Sequence, residues 1–310
     1  MATPGTANEL EVLNGKIKSD TANADLYHDR AMYYLDENQI NNALGDINKA
    51  IQLNGDKPEY FVTLADIYLA MGKVPNTLES LKKAEKLDPK NNEALIRLAQ
   101  LYLVMKDYTN CFTYVNSALT VNKQNPQAYF IWGFAQLEMG DTTSAIRNLQ
   151  TAADQDQNYY DAYLQLGMIY SARKNPLATD YFRSAIQIDS TRTGAYYLMG
   201  WFYQETEQFD KAISTYQRLI KVAPEMKEVP YNIGYINLVD LDNYPAAIKY
   251  FSECVRIDPN YVDAWFNRGY SYELSGDLES ARKDYEKALQ VQPNYNRAVE
   301  GLNRLDKAAK

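Results

Sequence analysis

The stretch that decides the fold is AWFNRGYSYELSGDLESARKDYEKAL, residues 264–289. Small and apolar residues stand on both sides of Gly276-Asp277 here, and residues 58–91 carry the same arrangement around Gly72. On each side these residues are spaced three or four apart, as on one face of an α-helix. Each stretch is therefore predicted to form two antiparallel helices joined by a short turn.

This arrangement repeats along the chain with a period close to 34 residues. The first predicted helices share a small residue, which recurs at Ala31, Ala65, Ala99, Gly133, Gly167, Gly200, Gly234 and Gly269. The second helices share another position, occupied by Ala50, Ala84, Ala118, Ala152, Ala185, Leu219, Cys254 and Ala288. Both series show the same one-residue deletion near Lys174 and the same insertion near Leu241. Two independent series that shift together indicate a true repeat array.

The repeat resembles the tetratricopeptide repeat family in its period, its small residues and the quoted stretch. Two short helices cannot bury a core by themselves, so neighbouring pairs must stack. The resemblance implies an all-α fold, an α-solenoid in which eight helix-turn-helix units form a right-handed superhelix. The units are predicted at 24–57, 58–91, 92–125, 126–159, 160–192, 193–226, 227–261 and 262–295.

Both ends of the array are predicted to be capped. Residues 1–23 are expected to comprise a disordered start, residues 1–7, and a short capping helix from Glu9 to Lys18. Residues 296–310 are expected to form a C-terminal capping helix with a polar outer face, which a terminal repeat needs in water.

Composition argues against catalysis and against metal or cofactor binding. The 310 residues include one histidine, His28, and two cysteines, Cys111 and Cys254. Both cysteines fall at small-residue positions of second helices and are predicted to be packed thiols. The formal net charge of −8 also disfavours nucleic-acid binding, and no apolar run is long enough to span a membrane. The chain is thus predicted to be a non-enzyme without cofactors.

The candidate site follows from the resemblance. In this family the first helices line a concave groove, into which two residues of each helix, four apart, point. The predicted partner-binding residues are Ile96, Phe130, Phe134, Leu164, Met168, Tyr197, Trp201, Tyr231, Tyr235, Phe266 and Tyr270. One turn before the groove positions lie acids that are expected to form an acidic edge: Asp25, Glu59, Glu93, Asp161, Glu228 and Asp263. The groove therefore favours apolar partners with some basic character.

These features predict a protein–protein interaction scaffold or adaptor that binds a peptide segment or partner helix. The Lys/Asn/Arg clamp with which some family members hold chaperone C-termini is not present at these positions. Two alternatives are a self-associating (homo-oligomeric) or bacterial envelope-complex assembly component and a glycan-binding module. No signal-peptide pattern is found, so a soluble protein is expected, either cytoplasmic or, after removal of a signal, periplasmic or lipid-anchored.

Overall fold

The computed structural model describes the backbone of residues 6–308 and the side chains of residues 9–308. The described part is all-α, as predicted, with no β-strand in it. The helices fall into two compact bodies, which we call the N-terminal body (to Gln157) and the C-terminal body (from Asn158). No helix among the described residues is long and apolar enough to cross a membrane.

The N-terminal body contains nine of the described helices. They are α1 (Thr6–Ser19), α2 (Ala24–Asp36), α3 (Ile40–Leu53), α4 (Pro58–Ala70), α5 (Val74–Leu87), α6 (Asn92–Val104), α7 (Tyr108–Val121), α8 (Pro126–Glu138) and α9 (Thr142–Gln155). Helices α2 to α9 form four successive antiparallel pairs. Residues 1–7 were predicted to be disordered. Of these, residues 1–5 lie outside the described residues, and α1 begins at Thr6.

The C-terminal body continues the same pairing. Its described helices are α10 (Tyr160–Ala172), α11 (Leu177–Ile188), α12 (Gly194–Glu205), α13 (Phe209–Val222), α14 (Glu228–Tyr235), a π-helix (Ile236–Asp240), α15 (Tyr244–Ile257), α16 (Val262–Ser275), α17 (Leu278–Val291) and α18 (Asn296–Ala308). Even-numbered helices from α2 to α16 are the first helices of their pairs. In the seventh pair, α14 and the π-helix together form the first helix and α15 is the second. The boundaries assigned to individual repeat units stay predictions.

The first helices all end in the same local conformation. Each is followed by a residue with positive φ: Asn38, Gly72, Lys106, Gly140, Lys174, Glu207, Asp242 and Gly276. A left-handed residue just after a helix allows the chain to reverse and satisfies the last free carbonyl groups. The second helices then start from caps such as Asp107, Asp141 and Asp277, whose carboxylates accept backbone N–H groups.

The recurring small residues are explained by close packing within each pair. A Cβ atom added to Gly167 would lie 2.5 Å from Cε1 of Phe182, and one added to Gly133 would lie 2.9 Å from Cγ of Leu149. The residues that press on this position are fully buried in every pair: Ile47, Leu81, Val115, Leu149, Phe182, Tyr216, Phe251 and Tyr285. Alanine accompanies aliphatic partners in the first three pairs, glycine accompanies the aliphatic Leu149 in the fourth, and glycine accompanies aromatic partners in the last four. In every pair except the fourth, the bulk lost on one helix therefore matches the bulk gained on the other.

The insertion in the seventh pair is absorbed within a helix. The sequence placed the extra residue in the turn near Leu241, whereas the structure widens the end of α14 into the π-helix. The amide of Leu241 donates to the carbonyl of Ile236, five residues earlier, at 3.1 Å. π-Helical turns of this kind often accommodate a single inserted residue. The insertion therefore changes which side chains follow Tyr235 on the helix surface.

Candidate partner-binding surface

Three of the predicted residues are large, apolar and open to solvent on successive first helices of the C-terminal body. Met168 of α10, Trp201 of α12 and Tyr235 of α14 expose 42%, 44% and 38% of their surface. Each is the second member of its predicted pair, and the first members, Leu164, Tyr197 and Tyr231, are half-buried. We call Met168, Trp201 and Tyr235 the exposed row.

The half-buried residues beneath this row are fixed by ring contacts and hydrogen bonds. The ring of Tyr231 lies 5.0 Å from that of Tyr261 and 5.6 Å from that of Phe251, centroid to centroid. Asn267 Nδ2 donates to the hydroxyl of Tyr231 at 2.9 Å. The hydroxyl of Tyr231 thus reaches α16, the first helix of the following pair.

The same link joins the preceding helices. Asn232 Nδ2 lies 3.4 Å from the hydroxyl of Tyr197, which connects α12 to α14. Burial, and after it the nearby carboxylate of Asp263, raises the pKa of Tyr231 to about 12, so this phenol stays neutral near pH 7. The sequence analysis assigned no role to Asn232 and Asn267. Their shared position, one residue after the first member of each pair, was the signal that they form a repeating link.

Two predicted residues do not reach the surface. Ile96 is 1% exposed and Phe266 is 5% exposed, so both belong to the core. Phe266 packs on Tyr285, with ring centroids 5.5 Å apart, and on Tyr295, at 5.8 Å. Tyr285 belongs to α17, the second helix of the same pair, whereas Tyr295 lies in the segment that follows α17. In this structure neither side chain is available to a partner.

Tyr270 is also partly covered. Its ring stacks on that of Phe266, with centroids 6.1 Å apart, and the guanidinium of Arg304 from α18 lies 5.5 Å from its centre. Arg304 is itself held by Glu273 through two hydrogen bonds of 2.8 Å. The C-terminal helix therefore removes much of the eighth pair from the candidate surface.

The N-terminal body presents a smaller set. Phe130 and Phe134 of α8 are half-buried, with ring centroids 6.1 Å apart. A cavity of about 70 Å³ lies between α4 and α6, beside the exposed side chains of Leu69 and Val104. Sequence reasoning missed both of these residues because it considered only two positions of each first helix. They follow Asp66 and Gln100 by three and four residues, so extending each stripe by one turn would have found them.

The acidic edge expected from the sequence is largely neutralised within the chain. Asp25 pairs with Lys57 at 2.5 Å, and this hydrogen bond lowers the pKa of Asp25. The other pairs are Glu93 with Arg97 at 3.0 Å, Asp161 with Arg192 at 2.7 Å and Asp263 with Arg297 at 3.8 Å. Four of the six predicted acids therefore present little uncompensated charge.

No arrangement for metal binding is found among residues 9–308, where no three His, Cys, Asp or Glu side chains converge. His28 Nε2 lies 2.9 Å from Oγ1 of Thr63, and its ring lies 4.9 Å from that of Tyr60. Cys111 and Cys254 are both buried free thiols, which confirms the prediction made from their positions.

Stacked helix pairs of this length and packing define an α-helical repeat protein, and sequence models of the tetratricopeptide repeat match residues 62–128, 132–192, 193–226, 230–261 and 262–295. The chain belongs to the tetratricopeptide repeat family. Repeats of this family form protein–protein interaction scaffolds. Within the described residues, no membrane-spanning helix lies between the matched segments.

Relatives among characterised proteins match only in part. The human protein O-mannosyl-transferase TMTC1 is 28% identical over 129 residues, which are 40% of this chain and 15% of the relative. The heat shock protein STI1 of Saccharomyces cerevisiae is 28% identical over 99 residues, 32% of this chain and 17% of the relative. The chain thus spans less than a fifth of the length of either.

Solved structures support the fold. The C-terminal part of a TPR repeat-containing protein from Cytophaga hutchinsonii superimposes with a TM-score of 0.67 at 20% identity, over 77% of this chain and 98% of that one. YrrB, described as a TPR protein with an unusual peptide-binding site, gives a TM-score of 0.50 at 21% identity, over 61% and 97% of the two chains. At these identities the likeness shows the fold alone.

Proposed function

We propose that the chain is a non-catalytic scaffold that binds a peptide segment or a partner helix against the exposed row of its C-terminal body. The observation that carries this proposal is the solvent exposure of Met168, Trp201 and Tyr235 on three successive first helices. Large apolar side chains in a contiguous patch commonly mark a binding surface on a soluble protein. Tryptophan and tyrosine are also the residues that contribute most at protein interfaces.

The surface is suited to binding because it is already ordered. The rings beneath the exposed row are held by stacking and by the Asn–Tyr links, so little side-chain freedom remains to be lost. A partner then bears most of the entropy cost of association. The formal net charge of −8 favours partners that combine apolar side chains with some positive charge.

The test is a binding titration with peptides selected against the whole chain from a random library. Trp201→Ala and Tyr235→Ala are each expected to weaken binding by about thirty-fold, since truncation of an interface hot spot typically costs about 2 kcal/mol. Thermal stability should stay close to that of the parent chain, because both side chains are exposed. A ring removed from the core would instead cost about 3–5 kcal/mol of folding stability.

Two controls distinguish binding at this surface from non-specific hydrophobic binding. Leu177→Ala removes an equally exposed apolar side chain elsewhere in the C-terminal body, and Gln100→Ala alters the N-terminal body. Neither should change the affinity by more than about two-fold. Unchanged binding in both Trp201→Ala and Tyr235→Ala would refute the proposal. Light scattering at two concentrations reveals whether the exposed row instead mediates self-association, and binding of sugars without peptides would favour the glycan alternative.

A further inference from the structure

Acidic side chains cluster at the carboxyl ends of two neighbouring first helices. Glu205 closes α12 and Asp240 closes the π-helix, while Glu207 and Asp242 occupy the left-handed positions that follow, at φ values of 58° and 49°. The other pairs carry Asn, Gly or Lys at that position. Negative charge is unfavourable at a helix carboxyl end, because the helix dipole is negative there.

These four carboxylates are not neutralised within the chain. Among residues 9–308, none of them forms an ion pair with a lysine or arginine, whereas most of the acids at the opposite ends of the first helices do. Asp242 accepts only a hydrogen bond from the hydroxyl of Tyr244, at 3.3 Å. Burial, and after it the charge of Glu207, raises the pKa of Asp240.

The acids follow exposed apolar side chains on the same two helices. Trp201 lies one turn before Glu205 on α12, and Tyr235 lies one turn before Val239, which is 52% exposed. The link from Asn232 to Tyr197 joins α12 to α14 one turn before Trp201 and Tyr235. We call Trp201, Tyr235 and Val239 the apolar patch, and the four acids at the carboxyl ends of the same helices its anionic border.

We propose that this patch binds a partner protein segment in which large apolar side chains are followed by lysine or arginine. The apolar side chains contact Trp201, Tyr235 and Val239, and the cationic side chain lies at Glu207 and Asp240. The inference rests on the proposed scaffold function and adds to it the register and the charge of the partner. Opposite charge at the border selects basic partners and excludes acidic ones.

The experiment uses two synthetic nine-residue peptide libraries that share a fixed Leu-Trp pair and random flanks. One library carries Lys-Arg two residues after this pair, and the other carries Gln-Gln. Binding to the whole chain is measured by fluorescence anisotropy in 50 mM and in 500 mM NaCl. The cationic library should bind about ten-fold more tightly at low salt, and high salt should reduce this difference to about two-fold because it screens exposed charges.

Isosteric variants locate the effect. The double variant Glu207→Gln, Asp240→Asn should lower the affinity for the cationic library to that for the Gln-Gln library, and leave the latter within two-fold. The matched control, Asp180→Asn with Glu253→Gln, makes the same change in net charge at acids paired with Arg183 and Arg256. That control should alter both affinities by less than two-fold. If it weakens cationic binding as much as the first double variant, overall charge is responsible and the inference is wrong.

The outcomes distinguish this inference from the proposed function. Equal binding of the two libraries, with both weakened by Trp201→Ala, would overturn the charged register and leave the scaffold proposal intact. Failure of both libraries to bind, or binding that Trp201→Ala does not affect, would refute both. A dimer seen by sedimentation velocity that is lost in Glu207→Gln, Asp240→Asn would identify a second copy of the chain as the occupant and overturn the assignment to another protein.

Discussion

The contact between Gly167 and Phe182 allows a quantitative test of the packing within a pair. The change Gly167→Ala would place a Cβ atom 2.5 Å from Cε1 and 2.6 Å from Cδ1 of Phe182. Ordinary carbon contacts lie near 3.5–4.0 Å, so the ring must move by about 1 Å. Phe182 is fully buried in a cluster of other buried side chains, so movement of its ring disturbs its neighbours.

Two opposing terms set the expected stability. Alanine is favoured over glycine within a helix by about 1 kcal/mol, and this would stabilise the variant. Overpacking of a core typically costs about 1–3 kcal/mol, and the shortness of this contact places it at the upper end. Gly167→Ala should therefore lower the free energy of unfolding by about 1–2 kcal/mol. The control Gly45→Ala has no atom near the new methyl group and should raise stability by up to about 1 kcal/mol.

A double-mutant cycle identifies the ring as the cause. Phe182→Leu makes space beside residue 167 and recreates the combination that Ala65 and Leu81 show in the second pair. The double variant should be more stable than the sum of the two single changes implies, by about 1 kcal/mol or more. Urea unfolding followed by circular dichroism measures all four proteins. Additive effects, or a Gly167→Ala variant as stable as the parent, would refute the explanation of the small-residue positions.

Three further predictions concern single residues. Ala118→Leu and Ala152→Leu should each destabilise the chain by about 1–3 kcal/mol through overpacking of fully buried positions. If thermal unfolding shows both variants melting at the same temperature as the parent chain, this prediction is wrong. Burial raises the pKa of Cys111 to about 11 and that of Cys254 to about 12, so Ellman's reagent at pH 8 should label neither thiol until the chain is unfolded in guanidinium. Burial also lowers the pKa of His28 despite the nearby carboxylates of residues 25, 29 and 59, so NMR should give a titration midpoint below 6.5. The unfolded chain then binds the proton more readily, so this group's contribution to stability is complete above pH 6.5 and decreases as the pH falls below it.

Periodicity in the sequence was sufficient to predict the helix pairs, because each helix end and each close contact recurs at a fixed spacing. The positions of Gly167 and Cys111 in their pairs predicted burial, and the structure agrees. Periodicity alone did not show that Phe266 is covered, because its contacts with Tyr285 and Tyr295 depend on how α17 and the segment after it pack on α16.

The ion pairs of the expected acidic edge were harder to predict for a different reason. Lys57 follows Asp25 by 32 residues and Arg192 follows Asp161 by 31, so each ion pair joins a first helix to the segment just before the next first helix rather than neighbours on one helix. A comparison of charges at an offset slightly shorter than the period would have found them. The one inserted residue of the seventh pair could lie in the turn or within the first helix. Only the backbone hydrogen bonds show that it lies in the helix, where it forms the π-helix.

The matched bulk in every pair except the fourth has a consequence for how such arrays change by recombination. A crossover that falls between two pairs keeps each small residue with the side chain that presses on it. A crossover in the turn inside a pair can join an alanine helix from residues 24–125 to an aromatic helix from residues 160–295, a combination that the spacing at Gly167 does not allow. Breakpoints between pairs should therefore survive selection for folding more often than breakpoints within them, and the helix pair is the smallest segment that can be exchanged between the two halves of this chain.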